Sequence, residues 1–297
     1  MTDEARKSED DEAKKRQREN VAKLLAEAPI RSEGNALLGG RRAAYAVIAQ
    51  FIPVLPPSLD AREGEPQAAV FTIAYVLKEA NAARPVCFVF NGGPGSSSVW
   101  LHLGAVGPKR VAINDDGTMP APPYEVVDNP DSWFEHFDLV FIDPPHTGYS
   151  QTAGEDARKK MLTVDGDVDA LAETMRGWLA RNQRWDSAIY LAGESYGTTR
   201  GAALADKLQE QGVALTGIIL VSCAMDLQSL VFAPRNDLPF ALYLPAYACV
   251  AQYHGKLAGP LAKSPEAARA AAEAFVEEDY LGALHRGAKL DGKARRR

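Results

Sequence analysis

The pentapeptide Gly193-Glu194-Ser195-Tyr196-Gly197 constrains this chain more than any other stretch. It stands between an apolar run at 187–192 with the character of a strand and a helical pattern at 198–211, and G-x-S-x-G in that setting forms a nucleophile elbow. A strand that becomes a helix across one serine turns so tightly that the residues two before and two after must be tiny. Gly193 and Gly197 meet that demand. Ser195 is then held in a strained conformation above the sheet, its hydroxyl exposed and the positive end of the following helix beneath it.

A nucleophilic serine also needs donors for the oxyanion that forms on the attacked carbonyl, usually two backbone N–H groups. One is expected from Tyr196, directly after the nucleophile. The second belongs on a glycine-rich loop after an earlier strand. Asn91-Gly92-Gly93-Pro94-Gly95 follows an apolar run at 86–90 and fits that place. No G-K-[ST] follows it, which argues against a phosphate cradle.

The surrounding pattern gives strands at 44–51, 69–77, 85–90, 137–142, 187–192 and 215–222 and helices at 164–180 and 198–211. Strands apolar throughout and alternating with helices indicate an α/β layer fold with a largely parallel sheet. Beyond Cys223 the alternation stops, and 238–253 and 264–284 read as helical. The first 34 residues are about half charged and read as a solvated helix or disordered arm, with 21–28 able to form a partner-binding helix.

With 33 Lys and Arg against 39 Asp and Glu, the net charge of −6 gives no general attraction to nucleic acid or anionic lipid. Cys87, Cys223 and Cys249 are odd in number and scattered among apolar neighbours. They read as reduced core thiols, with no disulfide, metal site or cofactor. The sequence as written has neither a signal-peptide core nor a bilayer-spanning run, so a cytoplasmic location is expected, with export open if the true start lies upstream.

FNGGPGSSS at 90–98, Gly107-Pro108, FIDPPHTGYS at 141–150 and GESYGTTR at 193–200 together resemble the serine carboxypeptidase family of α/β-hydrolases, in its bacterial form. Their order and spacing agree, and the similarity runs from about residue 41 to 287. The resemblance implies Ser195 as nucleophile and the Gly93 and Tyr196 amides as oxyanion hole. It implies Asn91, Gly92 and Glu194 as the grip on the free C-terminal carboxylate of a peptide substrate. An amide and backbone N–H groups donate to a carboxylate directly, whereas Glu194 donates only when protonated, so an acidic optimum follows.

Three departures qualify that expectation. Ala105 stands where the family commonly has a second glutamate. His146 stands where a glycine is usual and reads as a loop substitution rather than a base. The family's acid and histidine lie beyond position 297; Asp226 with His254 or His285 satisfies the order Ser, Asp, His only formally. His254 and His285 read as helix-surface residues, and His102 and His136 as packed or solvent-facing.

The expected organisation is therefore a charged flexible arm at 1–38, an α/β-hydrolase core at 39–232, and a helical cap segment with a truncated end at 233–297. The sheet is expected to be flanked by helices and incomplete at its C-terminal side. Two other functions share the motifs: an esterase or acyltransferase of the same fold, and a catalytically inactive fragment or binding protein. The sequence sets neither oligomeric state nor side-chain preference.

Overall fold

The structure, a computed structural model, describes residues 3–56, 64–78 and 83–292. The chain divides into two compact units, Met1–Cys223 and Ala224–Arg297.

The first unit opens with helix α1 (Asp3–Ala26), followed by strands β1 (Ile30–Leu38), β2 (Arg41–Val54), β3 (Ala68–Leu77) and β4 (Val86–Phe90). A short helix α2 (Val99–Leu101) runs into a π-turn at His102–Val106, and β5 (Lys109–Val111) and β6 (Val126–Asp128) form a separate two-stranded sheet. Then come β7 (Asp138–Ile142), β8 (Gln151–Thr152), α3 (Glu155–Met161), α4 (Val164–Arg181), β9 (Ile189–Glu194), α5 (Tyr196–Glu210) and β10 (Gly217–Val221). The main sheet has the order β1-β2-β3-β7-β4-β9-β10, with β8 paired to β3.

The sheet is mixed and flanked by helices, as the α/β-hydrolase-type fold class expected from the sequence allows. β7, β4, β9 and β10 run parallel, while β1, β2 and β3 join antiparallel. For β1 and β2 the reason is local. Gly39 and Gly40 adopt φ of +53° and +79°, the two successive left-handed residues of a primed hairpin turn, and so fold β1 back on β2.

Residues 30–38 therefore belong to the sheet, and the arm expected over 1–38 shrinks to the part before residue 30. Only Ala36 of β1 is buried, so this edge strand is held by backbone pairing and lacks a hydrophobic signature. The N-terminal segment takes the helical form of the two expected, with Val21 of α1 buried at 1% exposed.

β4 shows how the core is divided. Val86, Phe88 and Phe90 enter the layer beneath α4 and α5, with Trp178, Leu171 and Leu204, while Cys87 and Val89 face Phe134, Phe141 and Leu101 on the other side. Both faces are covered, as a strand in a parallel sheet requires. α4 begins at Thr163, whose hydroxyl accepts from Gly166 N, and carries Asp165 and Asp167 in its first turn, where the helix dipole favours acid.

The second unit contains α6 (Leu238–Tyr253), α7 (Pro265–Phe275), which starts at a Ser264 cap, and α8 (Leu281–Arg286). It begins at Ala224, nine residues before the expected boundary at 233. Of the cysteines only Cys87 is buried; Cys223 is exposed and Cys249 partly so, which corrects the reading of all three as core thiols. Among the described residues no helix is long and apolar enough to cross a membrane.

Candidate active site

The carboxyl ends of β4 and β9 lie side by side, and their register fixes the site. Phe90 pairs with Gly193, so the next residue of each strand, Asn91 and Glu194, emerges at the same edge. Asn91, 1% exposed, donates from Nδ2 to Glu194 Oε2 at 2.9 Å. Its Oδ1 accepts from Leu101 N at 3.0 Å, which leaves the second Nδ2 hydrogen available.

Ser195 occupies the elbow with φ +58° and ψ −125°, a conformation that strains any residue with a Cβ. Surrounding bonds impose it: Ser195 N donates to Val221 O at 3.0 Å, and Thr198 donates to Ser195 O from both its N and its Oγ1, at 2.9 and 2.7 Å. The glycine requirement is physical. A Cβ on Gly193 would stand 2.0 Å from Gly197 O, and one on Gly197 would stand 3.1 Å from the Phe90 and Asn91 carbonyl oxygens. Tyr196 is the first residue of α5, so its N–H is among the unpaired donors that open a helix.

The glycine turn packs directly against this elbow. A Cβ on Gly92 would lie 2.4 Å from Tyr196 N and 2.6 Å from Glu194 O, so only glycine permits the approach. Gly93 is exposed, with φ +104°, and Ser96 N closes the turn on Gly92 O at 3.1 Å. The six residues singled out from the sequence, Asn91, Gly92, Gly93, Glu194, Ser195 and Tyr196, thus occupy two loops in contact.

The histidines fall elsewhere. His102 is half-buried, bonded to Tyr75 Oη at 2.7 Å and stacked on Phe141 with ring centres 4.4 Å apart; desolvation lowers its pKa to about 4. His146 sits at φ +64° with Nε2 bonded to Thr152 Oγ1 at 2.8 Å, and burial also lowers its pKa. His136 is exposed. Among the described residues of the first unit no histidine hydrogen-bonds Ser195. In the second unit His254 and His285 are exposed at the ends of α6 and α8, and Asp226 caps its own turn through Gln228 N at 2.9 Å without bonding either.

Two carboxylates and a guanidinium that carried no assigned role hold the loops together. Asp143 Oδ1 accepts from Ser98 N and Ser98 Oγ, each at 2.9 Å, and Oδ2 accepts from Tyr149 N at 3.3 Å. This ties the segment after the glycine turn to the loop after β7. Arg200 and Asp167 form a buried pair at 2.6 Å beneath the elbow. Their sequence signal was weak: Asp143 and Arg200 lie inside motif stretches, but only the packing of α4 on α5 identifies Asp167 as the partner.

A serine carboxypeptidase family profile matches residues 63–231, more than half of the chain. The pheromone-processing carboxypeptidase KEX1 of Yarrowia lipolytica is 33% identical over 146 residues, which cover 48% of this chain and 22% of that protein. Serine carboxypeptidase-like 33 of Arabidopsis thaliana is 29% identical over 138 residues, covering 46% and 27%. The chain therefore matches about a quarter or less of the length of these curated relatives. The crystal structure of Kex1(Δ)p, a prohormone-processing carboxypeptidase from Saccharomyces cerevisiae, aligns with a TM-score of 0.51 at 18% identity, over 78% of this chain and 53% of that one. The common feature is the α/β-hydrolase fold.

Proposed function

Since this chain belongs to the serine carboxypeptidase family, we propose that its first unit recognises the C-terminal carboxylate of a peptide and presents the last peptide bond to Ser195. The observation that carries this reading is the Asn91–Glu194 pair beside the elbow. Its free Nδ2 hydrogen, the Gly92 N–H and a protonated Glu194 are the donors for the carboxylate. The amides of Gly93 and Tyr196 receive the oxyanion when Ser195 Oγ attacks the carbonyl carbon. The hydroxyl proton passes to a general base, and the leaving amine takes a proton as the acyl-enzyme forms. Water then releases the acyl group.

A second reading rests on one observation, that no histidine among the described residues of the first unit bonds Ser195. It is a peptide-binding protein with the recognition site and no turnover. An esterase or acyltransferase would use the same elbow without needing the carboxylate donors.

Two measurements separate these readings. The Ser195→Ala chain should bind N-acetyl-Phe-Leu more tightly than its C-terminal amide; equal affinities would overturn the carboxypeptidase reading and favour the esterase. Fluorophosphonate should label Ser195 of the 297-residue chain slowly. Rapid stoichiometric labelling, abolished by replacing His146, His254 or His285, would place the base within this chain and remove the non-catalytic reading.

A further inference from the structure

Arg200 is one helical turn beyond Tyr196 on α5 and only 2% exposed, and it has no part in the chemistry above. Its Nε donates to Asp167 Oδ2 at 2.6 Å and its Nη1 to the backbone oxygen of Asn91, also at 2.6 Å. The guanidinium carbon lies 5.2 Å from the Tyr196 ring centre and 5.6 Å from that of Phe90. One buried cation thus binds α4, the elbow helix and the end of β4.

The bond to Asn91 O matters because of what shares its peptide plane. The Asn91–Gly92 bond is trans, and in a trans peptide the C=O and N–H point in opposite directions. A donor that pins the Asn91 oxygen beneath the elbow therefore aims the Gly92 N–H to the opposite side. That N–H has no hydrogen-bond partner among the described residues. Gly92 and Gly93 carry no side chain to resist rotation of this peptide, so its orientation needs an external hold.

We propose that Arg200 is a positioning residue for carboxylate recognition: it fixes the Asn91–Gly92 peptide so that the Gly92 N–H meets the substrate carboxylate. The proposal rests on the carboxylate reading of the site given above. An arginine suits the task because its planar fork serves Asp167 and Asn91 O together, whereas a lysine ammonium lacks that fixed geometry. Asp167 offsets the buried charge; burial pushes its carboxyl up, and Arg200 opposes that shift. Arg200 itself does not touch substrate, since it lies on the carbonyl side of the peptide.

The test uses the full chain with Ser195→Ala and compares N-acetyl-Phe-Leu with its C-terminal amide, in the parent and with Arg200→Lys or Arg200→Gln, folding being checked by circular dichroism. Both variants should lose about tenfold in affinity for the acid, the scale of one charge-directed hydrogen bond, and less than twofold for the amide. Asp167→Asn, which leaves the bond to Asn91 O in place, should keep the preference for the acid while lowering thermal stability. The Gly92 amide resonance should move when the acid is titrated into the parent.

A folded Arg200→Lys chain with an unchanged acid-to-amide ratio, or one that loses both ligands equally, overturns the proposal while leaving the carboxylate site standing. A parent with no preference for the acid overturns the carboxylate reading and this proposal with it. If neither Arg200 variant folds, the Gly92 amide decides, and its failure to respond to the acid overturns the proposal.

Discussion

Asn91 and Glu194, 103 residues apart in sequence, meet through a 2.9 Å bond from Asn91 Nδ2 to Glu194 Oε2. Their meeting follows from strand register, because Phe90 pairs with Gly193 and the next residue of each strand leaves the sheet at the same edge. A shift of one residue in that pairing would turn Asn91 to the other face and dissolve the site.

That pair predicts how recognition depends on charge at position 194. A carboxylate there repels a substrate carboxylate, whereas an amide donates to it without carrying charge. Glu194→Gln should therefore bind a free-acid dipeptide more tightly; calorimetric titration of the Ser195→Ala chain with and without the change is the check. Unchanged affinity would remove Glu194 from the carboxylate site.

The elbow predicts a sharp contrast between two glycines. A methyl group on Gly193 would stand 2.0 Å from Gly197 O, a backbone atom that cannot move without opening the turn. Gly193→Ala should cost at least about 3 kcal/mol or leave no folded protein. A methyl group on Gly201, in α5, would find its nearest neighbour, Phe90 Cζ, at an ordinary 3.9 Å. Gly201→Ala should be neutral or stabilising by up to about 1 kcal/mol, through helix propensity. Urea unfolding of both variants tests the contrast.

His102 predicts a loss of stability in acid. Burial lowers its folded pKa to about 4, below the 6.5 of an unperturbed histidine. Above pH 6.5 both states are neutral and its full contribution is present. As pH falls towards 4 the unfolded chain takes up a proton that the folded chain refuses, so stability is lost at up to about 1.4 kcal/mol per pH unit. His102→Gln, which preserves an acceptor for the Tyr75 hydroxyl, should show a smaller loss over the same range in urea midpoints. Parallel curves for the two proteins would show that another group governs the acid limb.

The sequence carries the site more clearly than the sheet around it, for physical reasons. Gly193, Gly197 and Gly92 are demanded by close backbone approaches, and such demands leave a local trace in residue type. Strand β1 leaves none: its charged residues Arg31 and Glu33 are exposed, and pairing with β2 alone makes it a strand. Strand direction is not legible in the apolar pattern that the strands share, because the connections set it, as the Gly39-Gly40 hairpin does for β1 and β2. The pairing of Arg200 with Asp167 was illegible since it depends on how α4 crosses α5, which no spacing within either helix encodes.

Asp143 and Ser98 predict an energetic coupling between the two loops that flank the elbow. The carboxylate, 7% exposed, accepts from Ser98 N and Oγ and from Tyr149 N, while Ser150 Oγ donates to Asp143 O and in turn accepts from Phe71 N at 2.8 Å. Room for this arrangement depends on Gly148, where a Cβ would fall 1.8 Å from Asp143 Oδ2. Hydrogen bonds to a charged acceptor are worth about 1.5–3 kcal/mol each, so Asp143→Asn should destabilise the fold by a comparable amount. Ser98→Ala removes only one of the two bonds from that residue, so a cycle of the single and double variants should give a coupling of about 1 kcal/mol or more. Gly148→Ala should reproduce the Asp143→Asn loss, since both displace the carboxylate from its donors. Additive effects of Asp143→Asn and Ser98→Ala would mean that the glycine turn and the loop after β7 hold their positions independently.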